Sequence, residues 1–417
     1  MSSTDLYTQI LGLQSPWHID RVELDEGSQQ VLVFVRKSGS EQLACPQCGK
    51  HAPGYDSRQR RWRHLDTCQF QTVLVCDAPR VNCGECGIHA ARLPWAAPNS
   101  GFTAMFENFV IAWLKEASTA AVARMLGLSW TAIDGIMARA VKRGRSRKCS
   151  SAPAHTCIDE VSSKRGHRYL SIVSDGERGT VEFIAEDRTT AALAPWFASL
   201  SAQQLAGIKT VSMDMWAPFI NVVSSHLPDA QQKICFDKFH IAKHLGDAVN
   251  TVRRRENKAL IEQGRDDLKG TRFDWLRNPQ NFTRSQWREF KELTDSVLKT
   301  ARAWALREAA MSLWHYASRT WAEKQWKRWL SWAMRSRLDP IKKVAKMIRR
   351  HLWGIVNAVV HAVDNAPAES INSRIKTVKV RARGFRNTRR MMDAIYFHLG
   401  GLDMALRPSE VHATHTI

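Results

Sequence analysis

No stretch of this sequence approaches the roughly 20 consecutive apolar residues that a membrane-spanning helix needs. An integral helical membrane protein is therefore excluded. The opening residues, MSSTDLYTQILGLQ, lack the basic flank and apolar centre of a signal peptide. The chain is expected to stay in the cytoplasm. Internal repeats are missing as well, which sets solenoids and propellers aside. Acidic residues are scarce: 40 Asp and Glu stand against 61 Lys and Arg, giving a net charge of +21. An imbalance of that size calls for a polyanionic partner. DNA, RNA and an acidic membrane surface all qualify on charge, the membrane least. Nine cysteines, an odd number, do not make a disulfide framework.

What the chain has is a globular composition, with 44% hydrophobic residues among 417. That is enough for about two to four domains with a core each. The runs 17–24 and 30–36 alternate loosely around the turn-like DEGSQ and predict a hairpin. Two Cys-x-x-Cys pairs follow, Cys45/Cys48 and Cys83/Cys86, each with a glycine next (Gly49, Gly87). A strand over TVLVCDAPRV would return the chain from one pair to the other. Four thiolates in two such turns suit tetrahedral Zn²⁺, and with no open position left the zinc would be structural. Cys68 and Cys76 lie between the pairs and His89 just beyond, so their participation stays open; Cys149, Cys157 and Cys235 read as packing or surface residues.

Residues 103–143 read as helical. Within them Val122 and Leu126 face inward, Gly127 permits a turn, and Ser129 caps a second helix through Ile133, Ile136 and Val141. This has the form of a helix-turn-helix, with Trp130, Thr131 and Arg139 as exposed candidates for reading DNA bases. The basic run KRGRSRK and then SSAPA form a linker.

From about 155 the pattern changes. Strands over TCIDEV, RYLSIVS and TVEFIAE, a helical stretch, a strand TVSMDM, a helix near 216–226 and a strand QKICFD follow in order. This is the element order of an RNase H-like sheet. Asp159 lies inside the first of these strands and Asp214 ends the fourth. A carboxylate in an apolar strand is costly to bury without a partner, and a divalent metal is one such partner. Two-metal phosphodiester chemistry needs hard oxygen ligands, so a third carboxylate should arrive on a helix, and Glu369 is the candidate. Asp237, in DKFH, rivals Asp214; with His240 it is placed at the rim of the site. Glu160 alternates to the other face of the strand and is left out.

Residues 239–363 carry little strand signal and read as a helical insertion. The segment 284–353 holds 17 Lys and Arg against 6 Asp and Glu, and eight of the sixteen tryptophans. Trp326, Trp329 and Trp332 recur every third residue and read as packing between helices. Residues 370–390 contain eight basic and no acidic residues: Arg374, Lys376, Lys379, Arg381, Arg383, Arg386, Arg389 and Arg390. They are expected to contact DNA phosphates and guide the strand past the metals.

These residues together resemble the transposases of the ISL-three group of prokaryotic insertion sequences. The likeness runs along nearly the whole chain. It takes in the CPxCG and later CxxC, the helix-turn-helix, IDE with a GHRYL-like strand, DKFH, and NAPAESINSRIKTVKVRARGFRN, the most specific segment. The second cysteine pair departs from the pattern in running Cys-Gly-Glu-Cys-Gly-Ile-His. The resemblance implies Asp159, Asp214 and Glu369 as the triad, with two Mg²⁺ (or Mn²⁺) bridged by Asp159. It implies a metal-activated water that frees a 3′-OH at the element end, direct transesterification into target DNA, and no covalent protein–DNA intermediate. Joining two ends implies at least a homodimer on DNA.

The expected architecture is α/β and multidomain. A zinc-binding β-domain (1–98) and a helix-turn-helix domain (99–150) precede an RNase H-like mixed sheet (151–245). A helical insertion (246–362), the end of the catalytic core with Glu369 (363–405) and a tail (406–417) follow. The expected activity is DNA cleavage and strand transfer at terminal repeats. A catalytically silent DNA-binding regulator and a structure-specific nuclease of the same fold are the alternatives.

Overall fold

The computed structural model describes residues 2–39, 42–148, 152–164, 168–296 and 298–407. The expected tail beyond 407, the turn residues 165–167 and Cys149 lie outside the described residues. The chain forms two units: 1–148 with 381–398 and 402–417, and 149–380 with 399–401.

In the first unit α1 (Ser3–Leu11), which the sequence reading did not anticipate, is closed by a Ser2/Asp5 capping box. Strands β1 (Trp17–Asp25) and β2 (Gln30–Lys37) form the expected hairpin. The short β3 (Leu43–Ala44) and β4 (His51–Ala52) frame the first cysteine pair. Then β5 (Gly54–Arg63), β6 (Gln71–Cys83) and β7 (Gly87–Ala90) complete a sheet of order β1-β2-β6-β5, with β7 also paired to β6. Its inner face buries Val33, Leu74 and Trp62. Trp95 meets Trp17 and Trp62 edge to face, with centroids 5.1 and 5.5 Å apart, a geometry that adds about 0.5–1.5 kcal/mol per pair beyond burial.

Helices α2 (Ala104–Glu116), α3 (Thr119–Met125) and α4 (Trp130–Arg147) follow. Ser118 caps α3 and Ser129 caps α4 through side-chain bonds to Ala121 and Ala132 amides. Gly127 has φ +63°, the left-handed turn for which glycine carries no Cβ penalty. Val122, Ile133, Ile136 and Val141 are buried as expected, Leu126 only half so.

The second unit is built on β8 (His155–Lys164), β9 (Arg168–Asp175) and β10 (Thr180–Glu186), then α5 (Thr190–Ala198), α6 (Ala202–Gly207), β11 (Thr210–Met213), α7 (Ala217–His226), α8 (Ala230–Lys233) and β12 (Ile234–Phe236). The sheet order is β10-β9-β8-β11-β12. The first three strands are antiparallel, and β11 runs parallel to both β8 and β12. This is the expected topology. The fifth strand is shorter than the QKICFD reading, because Gln232 and Lys233 finish the α8 turn and Asp237 caps the next helix.

Helices α9 (Lys238–Glu262), α10 (Arg272–Leu276), α11 (Arg284–Thr294), α12 (Lys299–Ser312), α13 (Arg319–Arg335) and α14 (Asp339–His361) make up the expected helical region. They share one continuous core with the sheet. At Gly354 an added Cβ would come within 2.5 Å of the Phe236 ring, so only glycine lets α14 lie this close to β12. Trp326 and Trp329 are buried, whereas Trp332 is 42% exposed. Spacing by three drifts around a 3.6-residue helix, and the third indole has turned off the buried face. Helix α15 (Ala366–Arg381) carries Glu369, and α16 (Thr388–Leu399) packs Met391, Ala394 and Ile395 into a core. Among the described residues no helix is long and apolar enough to cross a membrane.

Candidate active site and metal centre

Parallel pairing aligns Ile158 of β8 with Met213 of β11, and Met213 with Phe236 of β12. Each is followed directly by an aspartate, so Asp159, Asp214 and Asp237 stand in a row where the three strands run side by side. Side chains at equivalent positions of neighbouring strands share a face.

Helix α15 comes to this row by two fastenings. Ser212, two residues before Asp214, donates to the Asn365 side chain (3.0 Å) at the helix entry. One turn past Glu369, the Asn372 amide donates to Asp159 Oδ2 at 2.7 Å. Glu369 and Asn372 lie three residues apart and so share a helix face.

The electrostatics agree with this crowding. Burial pushes Asp159 up to about 6. Burial also raises Asp237, and the charge of Glu369 adds to the effect. Asp237 is 3% exposed; one oxygen accepts from the Phe239 amide, and Oδ2 accepts no hydrogen bond among the described residues. His240 stands between the acids, its Nδ1 3.4 Å from Asp214 and its Nε2 3.7 Å from Asp237. Asp214 is half-buried and Glu369 exposed. Glu160 is engaged by Arg188 at 2.9 Å, in keeping with its exclusion from the acid pocket. A row of carboxylates with unfilled acceptor capacity fits hard divalent cations. Sequence reasoning passed over Asn372 and Asn365; the i, i+3 spacing in Glu-Ser-Ile-Asn was the available signal for the first.

The zinc ligands gather completely. Cys45, Cys48, Cys83 and Cys86 offer sulfurs that all lie within 4.8 Å of one another. Amides of Glu85 and Cys86 bond to the Cys83 sulfur and lower it to about 7, while hydrogen bonds with the neighbouring cysteines, Cys48 first, push Cys86 up to about 12, so the four thiols share their protons unequally. His89 belongs to a different interaction, its Nε2 donating to the Cys86 carbonyl (2.7 Å). Cys76 is buried in the sheet core and Cys68 is exposed on a loop, neither in the cluster.

In the helix-turn-helix, Trp130 and Thr131 are exposed. Arg139 differs from expectation. Its guanidinium is paired with Glu107, a carboxylate with no solvent exposure, so it holds α4 to α2. Burying a charge requires such a partner. Arg390 likewise pairs with Asp134 (2.9 Å) and lies over the Trp130 ring at 4.6 Å. Along α15, Arg374 donates to the Gly179 carbonyl (3.0 Å) and Lys379 to the Ser162 carbonyl (2.7 Å). Arg381 donates to the Glu116 carbonyl. Lys376, Arg383 and Arg386 are exposed.

Residues 156–395 match a family model described as transposase, of the ISL3 group. Residues 91–141 match the helix-turn-helix domain of transposase family ISL3, and 41–86 the zinc-finger of transposase IS204/IS1001/IS1096/IS1165. The chain is 30% identical over 432 residues to the transposase for insertion sequence element IS1557 of Mycobacterium tuberculosis, covering 96% of each protein. It is 26% identical over 382 residues to the transposase for insertion sequence element IS1001 of Bordetella parapertussis, covering 90% of this chain and 94% of that one.

Proposed function

Because the chain belongs to the ISL3 family of DDE transposases, enzymes that cleave DNA and transfer strands, we propose that Asp159, Asp214 and Glu369 are its catalytic carboxylates. The observation that carries this reading is the side-by-side placement of Asp159 and Asp214 after paired strand residues, with Asn372 fastening the Glu369 helix to Asp159. Two divalent ions, Mg²⁺ or Mn²⁺, would supply Lewis acidity and charge neutralisation at the scissile phosphate. Asp159 and Asp214 offer oxygens from the sheet and Glu369 from the helix. Asn372 fixes which way the Asp159 carboxylate turns. At the rim His240 restrains Asp214 and is itself held by Asp237.

In the proposed reaction water attacks the phosphodiester at the element end, and the departing oxygen becomes a free 3′-OH. That hydroxyl then attacks a target phosphodiester, forming the joining P–O bond as the bond to the target strand's own 3′ oxygen breaks and that oxygen leaves as a 3′-OH. Arg374, Lys376, Arg381, Arg383 and Arg386, all exposed, and the half-buried Lys379 orient the backbone, each phosphate contact releasing counterions. Trp130 and Thr131 at the start of α4 contact the terminal repeat, while Arg139 braces the helix that carries them. We place the insertion at 246–362 within a catalytic core of 151–245 and 363–405. Synapsis of two ends requires at least a dimer on DNA, acting in the cytoplasm at the nucleoid.

A supercoiled plasmid bearing both element ends, incubated with the protein and Mg²⁺, tests the proposal. Cleavage with a free 3′-OH and joined products is the expected outcome. Binding without cleavage would indicate a silent regulator, and cleavage without joining a structure-specific nuclease.

A further inference from the structure

Beside the zinc knuckles lies a cavity of about 640 Å³, wholly within the first unit, between the sheet edge at β5 and the chain leading to α2. Its polar lining includes Gln47, Arg60, His89, Arg92 and Asn99; no Asp or Glu is among the described residues that line it.

Each arginine donates to a backbone carbonyl, and neither forms an ion pair among the described residues. Arg60 donates to the Ser100 carbonyl (3.3 Å), and its guanidinium lies 5.1 Å from the buried Trp62 ring. Arg92 donates to the Pro46 carbonyl at 2.8 Å. A guanidinium carries five N–H donors, so one carbonyl leaves most of them for a ligand. Two fixed, planar cations on one polar cavity suit the oxygens of a phosphate.

The pocket is also tied to the metal centre. Pro46 and Gln47 are the two residues inside the first knuckle, and His89 donates to the carbonyl of Cys86 in the second. Zinc therefore shapes the wall on which Arg92 is anchored.

We propose that this cavity binds backbone phosphates of element-end DNA, making the zinc domain a DNA-contacting module. The inference rests on the reading of the chain as an end-binding transposase. The test uses the full-length chain, an end-bearing duplex and a salt series, comparing the parent with the Arg60→Ala/Arg92→Ala double variant. The variant should bind about tenfold or more weakly at moderate salt. Its plot of log affinity against log salt should be shallower by about two, since each phosphate contact contributes about 0.9 to the slope. Its zinc content should equal the parent's, which separates a lost contact from a lost fold. The Arg60→Lys/Arg92→Lys variant, which keeps the charge, should recover most of the slope. Stripping zinc from the parent should weaken binding by a similar factor and add little to the alanine variant.

Equal affinity and slope in parent and alanine variant overturn the pocket while leaving the transposase reading intact. A parent that binds no end DNA overturns both. If millimolar inorganic phosphate or dATP stabilises the parent but not the alanine variant while the DNA salt slope stays the same, the pocket belongs to a free phosphate ligand and the DNA assignment fails.

Discussion

The four cysteine sulfurs lie within 4.8 Å of one another, whereas no three of the carboxylate and imidazole groups near Asp159 come so close among the described residues. The two centres draw their ligands from different sources. Each knuckle supplies two sulfurs from one tight turn, and protonated thiols tolerate crowding. The proposed catalytic carboxylates come from the ends of two strands and from a helix more than 150 residues further along, and like charges resist close approach unless cations neutralise them. The thiol site is thus preformed. Around the proposed acid site the contacts are hydrogen bonds and an ion pair: Asn372 to Asp159, Ser212 to Asn365, and His240 beside Asp214.

The largest expected effect short of catalysis lies on the thiol side. Cys45→Ala should take the bound zinc from near one equivalent to near none, as read by metal analysis, and unfold the knuckles while the catalytic unit keeps its cooperative transition. Zinc binding in such sites is worth about 10–16 kcal/mol, far more than a small β-domain gains from its own core. Full zinc occupancy in that variant would break the distinction between the two centres.

A smaller effect concerns Arg139. Its removal leaves the buried Glu107 without a counter-charge, with only the Ser100 hydroxyl donating to Oε1 and no hydrogen bond to Oε2. Arg139→Ala should therefore destabilise the helix-turn-helix by about 3–5 kcal/mol, measured by denaturant unfolding. Thr131→Ala should leave stability nearly unchanged and alter end-DNA affinity. Equal stability of the two variants would return Arg139 to the DNA-reading group.

A third test sharpens the electrostatic contrast. Folding raises the Asp159 carboxyl from its ordinary 3.8 to about 6. Between those values the folded protein keeps a proton that the unfolded chain has released, so stability falls as pH rises through this window and is lowest above it. Without added divalent metal, Asp159→Asn should stabilise the protein by about 1–3 kcal/mol at pH 7 and by almost nothing at pH 4. A gain independent of pH would show that burial of the charge is not the cause.

The comparison also marks how far the sequence could be read. Local patterns carried the knuckles, the Ser129 cap, the Gly127 turn and the order of strands and helices. Asp159 and Asp214 stand out as candidates because charged residues interrupt or end apolar strands, whereas Glu369, on a helix, is singled out only by the need for a third carboxylate. The fastenings were not: Asn372 to Asp159 spans 213 residues, and Ser212 to Asn365 spans 153. Polar side chains of that kind look like any surface asparagine until the fold brings them together. The ion pair of Arg139 is hidden from the sequence for the same reason, since its partner lies 32 residues away on another helix. The first helix escaped notice because it is short and only Tyr7 within it is buried.

One measurement bears most directly on the account: the rate at which Glu369→Gln cleaves end-bearing DNA with Mg²⁺, alongside its affinity for that DNA. The carboxylate-triad account predicts cleavage slower by about 10³-fold or more, the scale of losing a group that stabilises developing charge, with affinity within about threefold of the parent. Cleavage at the parent's rate would mean that the chemistry runs without Glu369, and the triad assigned to this chain would be wrong.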